Sequence, residues 1–287
     1  MRRLRHLTNR HRTPSTNIAL GLLLAFNAGA VNAGGFLVLR MYTSHMTGFA
    51  SQLADGLVLE NAKLLLNALG AIIAFTTGAA VCALLVNWGR KRHLYSVYAL
   101  PLMLEAVMLI AFGLMGTVTL TWNTPFSVPL TVLLLSFMMG LQNAVGSKTS
   151  GGSTRTTHMT GNFTDLGMEL GKMFFWKRHA NASLQLSPLV RHDWRRMKVS
   201  AGLILMFVLG GITGALGFKH IGFICVVPLA ALLLVLSVPP FMRDAAQSAE
   251  FAHCALQHER PSRPRQGGRQ ARQVTCAEDS VFAQLRA

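Results

Sequence analysis

Charge is scarce in this sequence: Asp, Glu, Lys and Arg supply 13% of its 287 residues, and only 11 residues are acidic. Cysteine is scarce as well. Of the four, Cys82 and Cys225 sit inside apolar runs and Cys254 and Cys276 in a polar tail. None has a CxxC or metal-ligand spacing, which excludes a disulfide framework and a zinc site. No HExxH, GxSxG or paired-carboxylate signature occurs, so no catalytic residue, metal site or cofactor is nominated, and the chain is read as non-enzymatic. A soluble domain carries about 25% charged residues. Here apolar residues reach 51% and mean hydropathy +0.39, and the apolar residues fall in long uncharged runs, the signature of membrane spans. The net charge of +16 does not point to nucleic acid, because the basic residues lie between and after the apolar runs, with no interleaved basic-aromatic surface.

Six runs are long enough to cross a bilayer, which takes about 20 helical residues. They cover residues 17–39, 64–87, 97–120, 127–146, 199–218 and 221–238. The last two are separated only by Lys219 and His220 and are read as a very tight hairpin, since one helix of about 40 residues would overshoot the bilayer. Lys and Arg then set the orientation. Only Arg40, Lys63 and Lys219 fall in one alternate set of loops, and the other 24 of the 27 fall on the opposite side. The positive-inside rule makes both termini cytoplasmic, as in a multi-pass protein of the bacterial inner membrane. Residues 1–16 form a basic cytoplasmic segment, 17–240 a six-span membrane domain and 241–287 a basic, disordered cytoplasmic tail. Ala28-Gly29-Ala30 imitates a signal cleavage site, but cleavage there would break both the charge alternation and the duplication described next.

One short stretch occurs twice: Ser44-His45-Met46-Thr47-Gly48 and Thr157-His158-Met159-Thr160-Gly161. The context repeats too. Gly29-Ala30-Val31-Asn32-Ala33 faces Gly140-Leu141-Gln142-Asn143-Ala144, Phe75-Thr76-Thr77-Gly78 faces Phe207-Val208-Leu209-Gly210, and Pro101-Leu102 faces Pro228-Leu229. A repeat of this length indicates internal duplication. Three spans precede the second unit, an odd number, so the two units have opposite orientation. The expected fold is an all-α membrane protein of six transmembrane helices in two inverted three-helix repeats, residues 17–120 and 127–240, each with a short motif helix after its first span.

The repeated motif places hydroxyls around a histidine, follows them with glycine, and leads into an amphipathic stretch. Thr47 and Thr160 suit helix N-caps, and Gly48 and Gly161 let a backbone or ligand approach closely. A helix N-terminus pointing into the protein favours anions, and His45 and His158 add titratable donors. The alternative is a packing corner in which the same groups join helices. Glu105 lies inside the third span, where a carboxylate costs about 2.5–3.5 kcal/mol even on mild insertion scales, so it is expected to face the interior, either as a proton-coupling or solute-binding group or as a protonated carboxyl hydrogen-bonded to a neighbouring helix. Asn27, Asn32, Gln142 and Asn143 put amides in spans one and four, either lining a cavity or clamping helices. Gly78 with Cys82, and Gly210 with Gly214, are small-xxx-small spacings that read as helix packing. The expected solute-binding set is Asn32, His45, Thr47, Gly48, Glu105, Asn143, His158, Thr160 and Gly161. Arg155, and the loop 168–197 with its Trp and Arg residues, read as positive-inside and interfacial lipid contacts.

The paired Ser/Thr-His-Met-Thr-Gly motifs, the Gly-Leu-Gln-Asn-Ala block and the Pro101-Leu102 element resemble the YoaK-like family of six-helix bacterial inner-membrane proteins. The resemblance covers about residues 18–238 and implies an integral membrane protein, sometimes labelled a small-molecule metabolite transporter. It carries over no accepted catalytic residue. The expected function is a secondary transporter or permease for a small polar solute, proton-coupled through Glu105 and the histidines, whose partners are the bilayer and that solute. A membrane-embedded enzyme and a non-transporting scaffold stand as alternatives.

Overall fold

The computed structural model describes residues 13–92, 94, 96–121, 127–150, 156–179 and 193–258, and these are helices and the short turns between them. In order they form α1 (Pro14–Leu39), α2 (Met46–Val58), α3 (Ala62–Lys91), α4 (Ala99–Thr121), α5 (Ser127–Ser150), α6 (Met159–His179), α7 (Trp194–His220), a 3-10 turn (Gly222–Cys225) and α8 (Val226–His258). Six of these, α1, α3, α4, α5, α7 and α8, are long and apolar enough to cross a bilayer. The fold is all-α, as expected for a chain whose backbone polar groups must be satisfied in lipid.

The helix ends follow from local chemistry. Thr13 caps α1, exchanging hydrogen bonds with Thr16, and Pro14 fills the first position, where a missing N–H costs nothing. Arg40 ends α1 in the left-handed region (φ 57°) while its N–H reaches the Phe36 carbonyl at 2.8 Å. Asn61 caps α3 through the Leu64 N–H at 3.1 Å, and Asp193 caps α7 through the N–H groups of Arg195 and Arg196. That cap starts α7 at Trp194, five residues before the apolar run suggested. The long apolar stretch near Lys219 is divided, as expected, by a short break. Ile221 donates back to Gly217, Gly222 adopts φ 71°, and the 3-10 turn follows. Pro228 falls in the first turn of α8, where it breaks no helix bond. Phe112 of α4, Phe218 of α7 and Phe223 of the turn cluster around this break with ring centroids 5.6–6.2 Å apart.

Close backbone contacts organise the bundle. A Cβ added at Gly29 of α1 would collide with the Phe207 carbonyl of α7, and one at Gly210 of α7 with the Phe26 carbonyl of α1. The same reciprocal contact joins Gly140 of α5 to the Phe75 carbonyl of α3, and Gly78 of α3 to the Phe137 carbonyl of α5. Gly214 similarly meets Ala30. The small-xxx-small positions therefore do pack helices backbone to backbone. α1 and α5 are the most enclosed of the six long helices, and α3 and α7 the least. Leu66, Ile73 and Leu84 on α3, and Leu205, Val208 and Ile212 on α7, are exposed. Apolar exposure on this scale belongs against lipid.

The chain divides into the units Met1–Phe241 and Met242–Ala287. The tail expected to be disordered from residue 241 is helical as far as His258, a segment whose five alanines, from Ala245 to Ala255, favour helix. Residues 259–287 lie outside the described residues. The 168–197 segment also differs from the expected loop: it is α6 up to His179 and α7 from Trp194. Residues 151–155, including Arg155, and 180–192 lie outside the described residues, as does most of the basic N-terminal segment.

Candidate functional site

Each motif copy folds back along the helix before it. Ser44 Oγ donates to Asn32 Oδ1 at 3.1 Å, nearly two turns before the end of α1. In the second copy Thr156 lies against Gly146 of α5, four residues short of that helix's end. The local geometry then repeats. Met46 N–H reaches the Ser44 carbonyl and Met159 N–H the Thr157 carbonyl, while Phe49 N–H reaches His45 and Asn162 N–H reaches His158.

The caps are not the expected threonines. α2 begins at Met46 and α6 at Met159, so His45 and His158 occupy the capping positions and Thr47 and Thr160 lie one residue inside the first turn. The glycines explain why. An added Cβ at Gly48 would overlap the His45 ring, and one at Gly161 the His158 ring. What approaches each glycine is the imidazole of its own motif, folded over the first turn, although the His45 side chain makes no capping hydrogen bond.

Both copies open onto one cavity of about 850 Å³. Asn32, His45, Thr47, Asn143, His158 and Thr160 all line it, two matched sets of three. Phe36, Phe75, Phe207 and Ile212 supply apolar wall, and among the described residues no Asp, Glu, Lys or Arg lines it. Because the capping histidines line the cavity, the N-termini of α2 and α6 both open into it. Their free N–H groups give it positive dipole character from two directions.

The family model described as a protein of unknown function (DUF1275) matches residues 20–238, from α1 to the last span. The chain belongs to the DUF1275 family. It is similar to the UPF0700 transmembrane protein YoaK of Bacillus subtilis (strain 168), 26% identical over 211 residues, 72% of this chain and 87% of that protein. No solved structure matches the chain. Together with the six long apolar helices, the likeness makes this DUF1275 member a multi-pass integral membrane protein.

Three of the expected residues do not line the cavity. Gly48 and Gly161 stand behind their histidines. Glu105 of α4 is buried elsewhere, where Asn27 Nδ2 of α1 donates to its Oε1 at 3.2 Å. Both histidines therefore line the cavity and Glu105 does not. The reason is helical phase. Asn27 and Asn32 are five residues apart, about 140° around α1, so one faces α4 and the other faces the cavity. The amides of spans one and four divide the same way: Asn32 and Asn143 line the cavity, whereas Asn27 holds Glu105 and Gln142 Nε2 clamps α5 to the Leu24 carbonyl at 3.2 Å. Ser44, Thr157, Phe75 and Phe207 also line the cavity and were not nominated. The repeat carried the signal for them, since each pair occupies matching positions.

A polar network ties α6 to the start of α7. Glu169, nearly inaccessible, accepts Lys172 Nζ at 2.9 Å and the Asp193 N–H at 2.7 Å, while Arg196 donates to Asp165 at 2.9 Å. The Lys172 hydrogen bond first, and the Asp193 N–H second, hold the Glu169 carboxyl below its ordinary pKa.

Proposed function

We propose that this protein is a secondary transporter or permease for a small polar solute, built from two inverted three-helix units. The observation that carries the reading is the single cavity lined by the same three residue types from each motif copy, Asn32, His45 and Thr47 against Asn143, His158 and Thr160. A duplicated motif used only as a corner gives no reason for both copies to meet at one space. The reciprocal glycine contacts support the inverted arrangement. Span one packs on span five as span four packs on span two, the exchange that a two-fold axis in the membrane plane requires. The helix caps agree, with Asn61 before span two and Asp193 before span five.

On this reading charge segregation puts both termini in the cytoplasm of a bacterial cell, and the motifs fold into the membrane from opposite faces. The solute passes between them, with alternating access supplied by rocking of one unit against the other. The histidines are the titratable groups placed to couple flux to protons, and Glu105 holds α4 to α1 behind the cavity wall. Each copy contributes one histidine and no carboxylate, which favours passage of a solute over acid-base turnover of one.

The test is uptake of a panel of radiolabelled small polar solutes into proteoliposomes across a pH gradient, comparing wild type with His45→Ala and His158→Ala. The reading expects a solute whose flux depends on the protein and falls at least tenfold in both variants. Flux that is unchanged in both variants would remove the cavity from the pathway.

A further inference from the structure

Around α7 the cavity wall runs directly into the face that meets lipid. Successive residues of a helix are turned by about 100°, which orders the side chains around its axis. Gly210 and Gly214 meet α1. Past them in rotation come Phe207, Gly211, Ala215, Val208 and Ile212, all of which line the cavity. Leu205, Leu216 and Leu209 follow, all exposed, the first of them only about 20° beyond Ile212. Val208 and Ile212 belong to both surfaces. They line the cavity, yet they are 48% and 52% exposed and share a stripe with Leu205 and Leu216. On α1 Leu37 is likewise both lining and exposed. An exposed apolar stripe on a membrane span lies against acyl chains, so at these residues the cavity opens sideways to the bilayer.

The two ends of the space have different chemistry. All five residues that α7 contributes are apolar. At the other end His45, Thr47, His158 and Thr160 are exposed to the cavity and offer hydrogen-bond donors and acceptors. The volume of about 850 Å³ lies in the upper part of the range of small-molecule cavities, roughly 300–1,000 Å³, and exceeds what a polar head alone would fill. A polar group moved into the membrane interior needs hydrogen-bond partners, and an apolar chain needs none. A molecule entering from the side meets both conditions here. Its chain stays among acyl chains and the α7 wall while its head reaches the motifs.

We infer that the cavity takes a small amphiphile from the bilayer through this side opening, with its polar head among the motif side chains and its apolar chain along Phe207, Val208 and Ile212. This deepens the transporter reading and rests on it: the polar solute is a head group carried on a short apolar chain.

The experiment uses 1-decanol with a diazirine midway along its chain, added to proteoliposomes and photolysed, with the labelled residues read by peptide mass spectrometry. Labelling at Phe207 and Phe36 is expected to saturate and to fall at least fivefold with excess unlabelled 1-decanol. Labelling at Leu66 and Leu84, exposed on α3 and away from the cavity, should rise in proportion to the probe. Ile212→Trp or Val208→Trp, which narrows the opening, lowers the saturable labelling at least fivefold. Leu205→Trp places the same bulk on the lipid stripe outside the cavity and leaves it unchanged, with size-exclusion profiles confirming that each variant is folded. Labelling at Phe207 that does not saturate, or that is equal in wild type and both narrowed variants, overturns side entry. If the protein still passes a polar solute in the flux assay, the transporter reading then stands without it; if it passes none, both fail.

Discussion

Replacing Glu105 separates a structural carboxyl from a coupling one. Its Oε1 accepts the Asn27 amide at 3.2 Å, whereas Oε2 and the Asn27 Oδ1 are both buried without partners. Glu105→Ala strands the Asn27 N–H in a dry interface, at about 1–3 kcal/mol. It also empties the volume of four heavy atoms beside the fully buried Leu102, Ala106 and Leu109, adding on the order of 1–2 kcal/mol. The sum, roughly 2–5 kcal/mol, corresponds to about 5–15 °C in a chain of this size. Glu105→Gln keeps an acceptor for Asn27 Nδ2 and brings an N–H to serve Asn27 Oδ1, so its cost stays within about 1 kcal/mol. The assay is thermal unfolding in detergent, read by fluorescence-detected size exclusion. It is paired with flux measurements, in which Glu105→Gln is expected to retain wild-type pH dependence. A Glu105→Gln protein as unstable as Glu105→Ala, or one whose flux loses its response to pH, would refute the assignment of Glu105 to the scaffold.

Other outcomes follow from the packing and the polar contacts. Gly29→Ala or Gly140→Ala drives a methyl into a carbonyl of the neighbouring helix, with little room for relief. Each should cost about 3 kcal/mol or more and reduce the yield of monodisperse protein, whereas Gly171→Ala, where nothing lies within 4 Å, should not. Gly48→Ala or Gly161→Ala expels the histidine ring that occupies the space of the new methyl, and is expected to lower flux more than stability. Glu169 has a depressed folded-state pKa, so its contribution is full above the unfolded value near 4.3 and disappears as pH falls through the lower folded value. Wild type should therefore exceed Glu169→Gln in thermal stability at pH 7, with the gap closing below about pH 4; a gap that persists there contradicts the assignment.

The bundle was legible because its signals are long. Six apolar runs and the one-sided placement of Lys and Arg are averages over many residues, and no single misjudged position disturbs them. The cavity was legible through duplication: two copies of a motif nominated the same three positions, and six of the nine nominated residues line one space. Glu105 was misplaced because hydropathy shows only that a carboxylate is costly in a span, not which neighbour relieves it; that depended on the phase of Asn27 around α1. The threonine caps were misassigned because capping preference alone favours Thr over His. The choice was made by Gly48 and Gly161, which leave room for an imidazole over the first turn. The helical stretch up to His258 was missed because a basic tail beyond an apolar run reads as solvated chain, while its alanines act locally.

The central claim is that the two motif copies meet at one cavity instead of resting at opposite membrane surfaces. Cysteines at Thr47 and Thr160, in a background with the four native cysteines replaced by alanine, test it directly with a bifunctional maleimide whose reach is well short of the ~30 Å hydrocarbon core. The account predicts an intramolecular cross-link in the double variant, seen as a shift in the mass of the intact monomer. Full labelling of each single-cysteine variant with no cross-link in the double would contradict it.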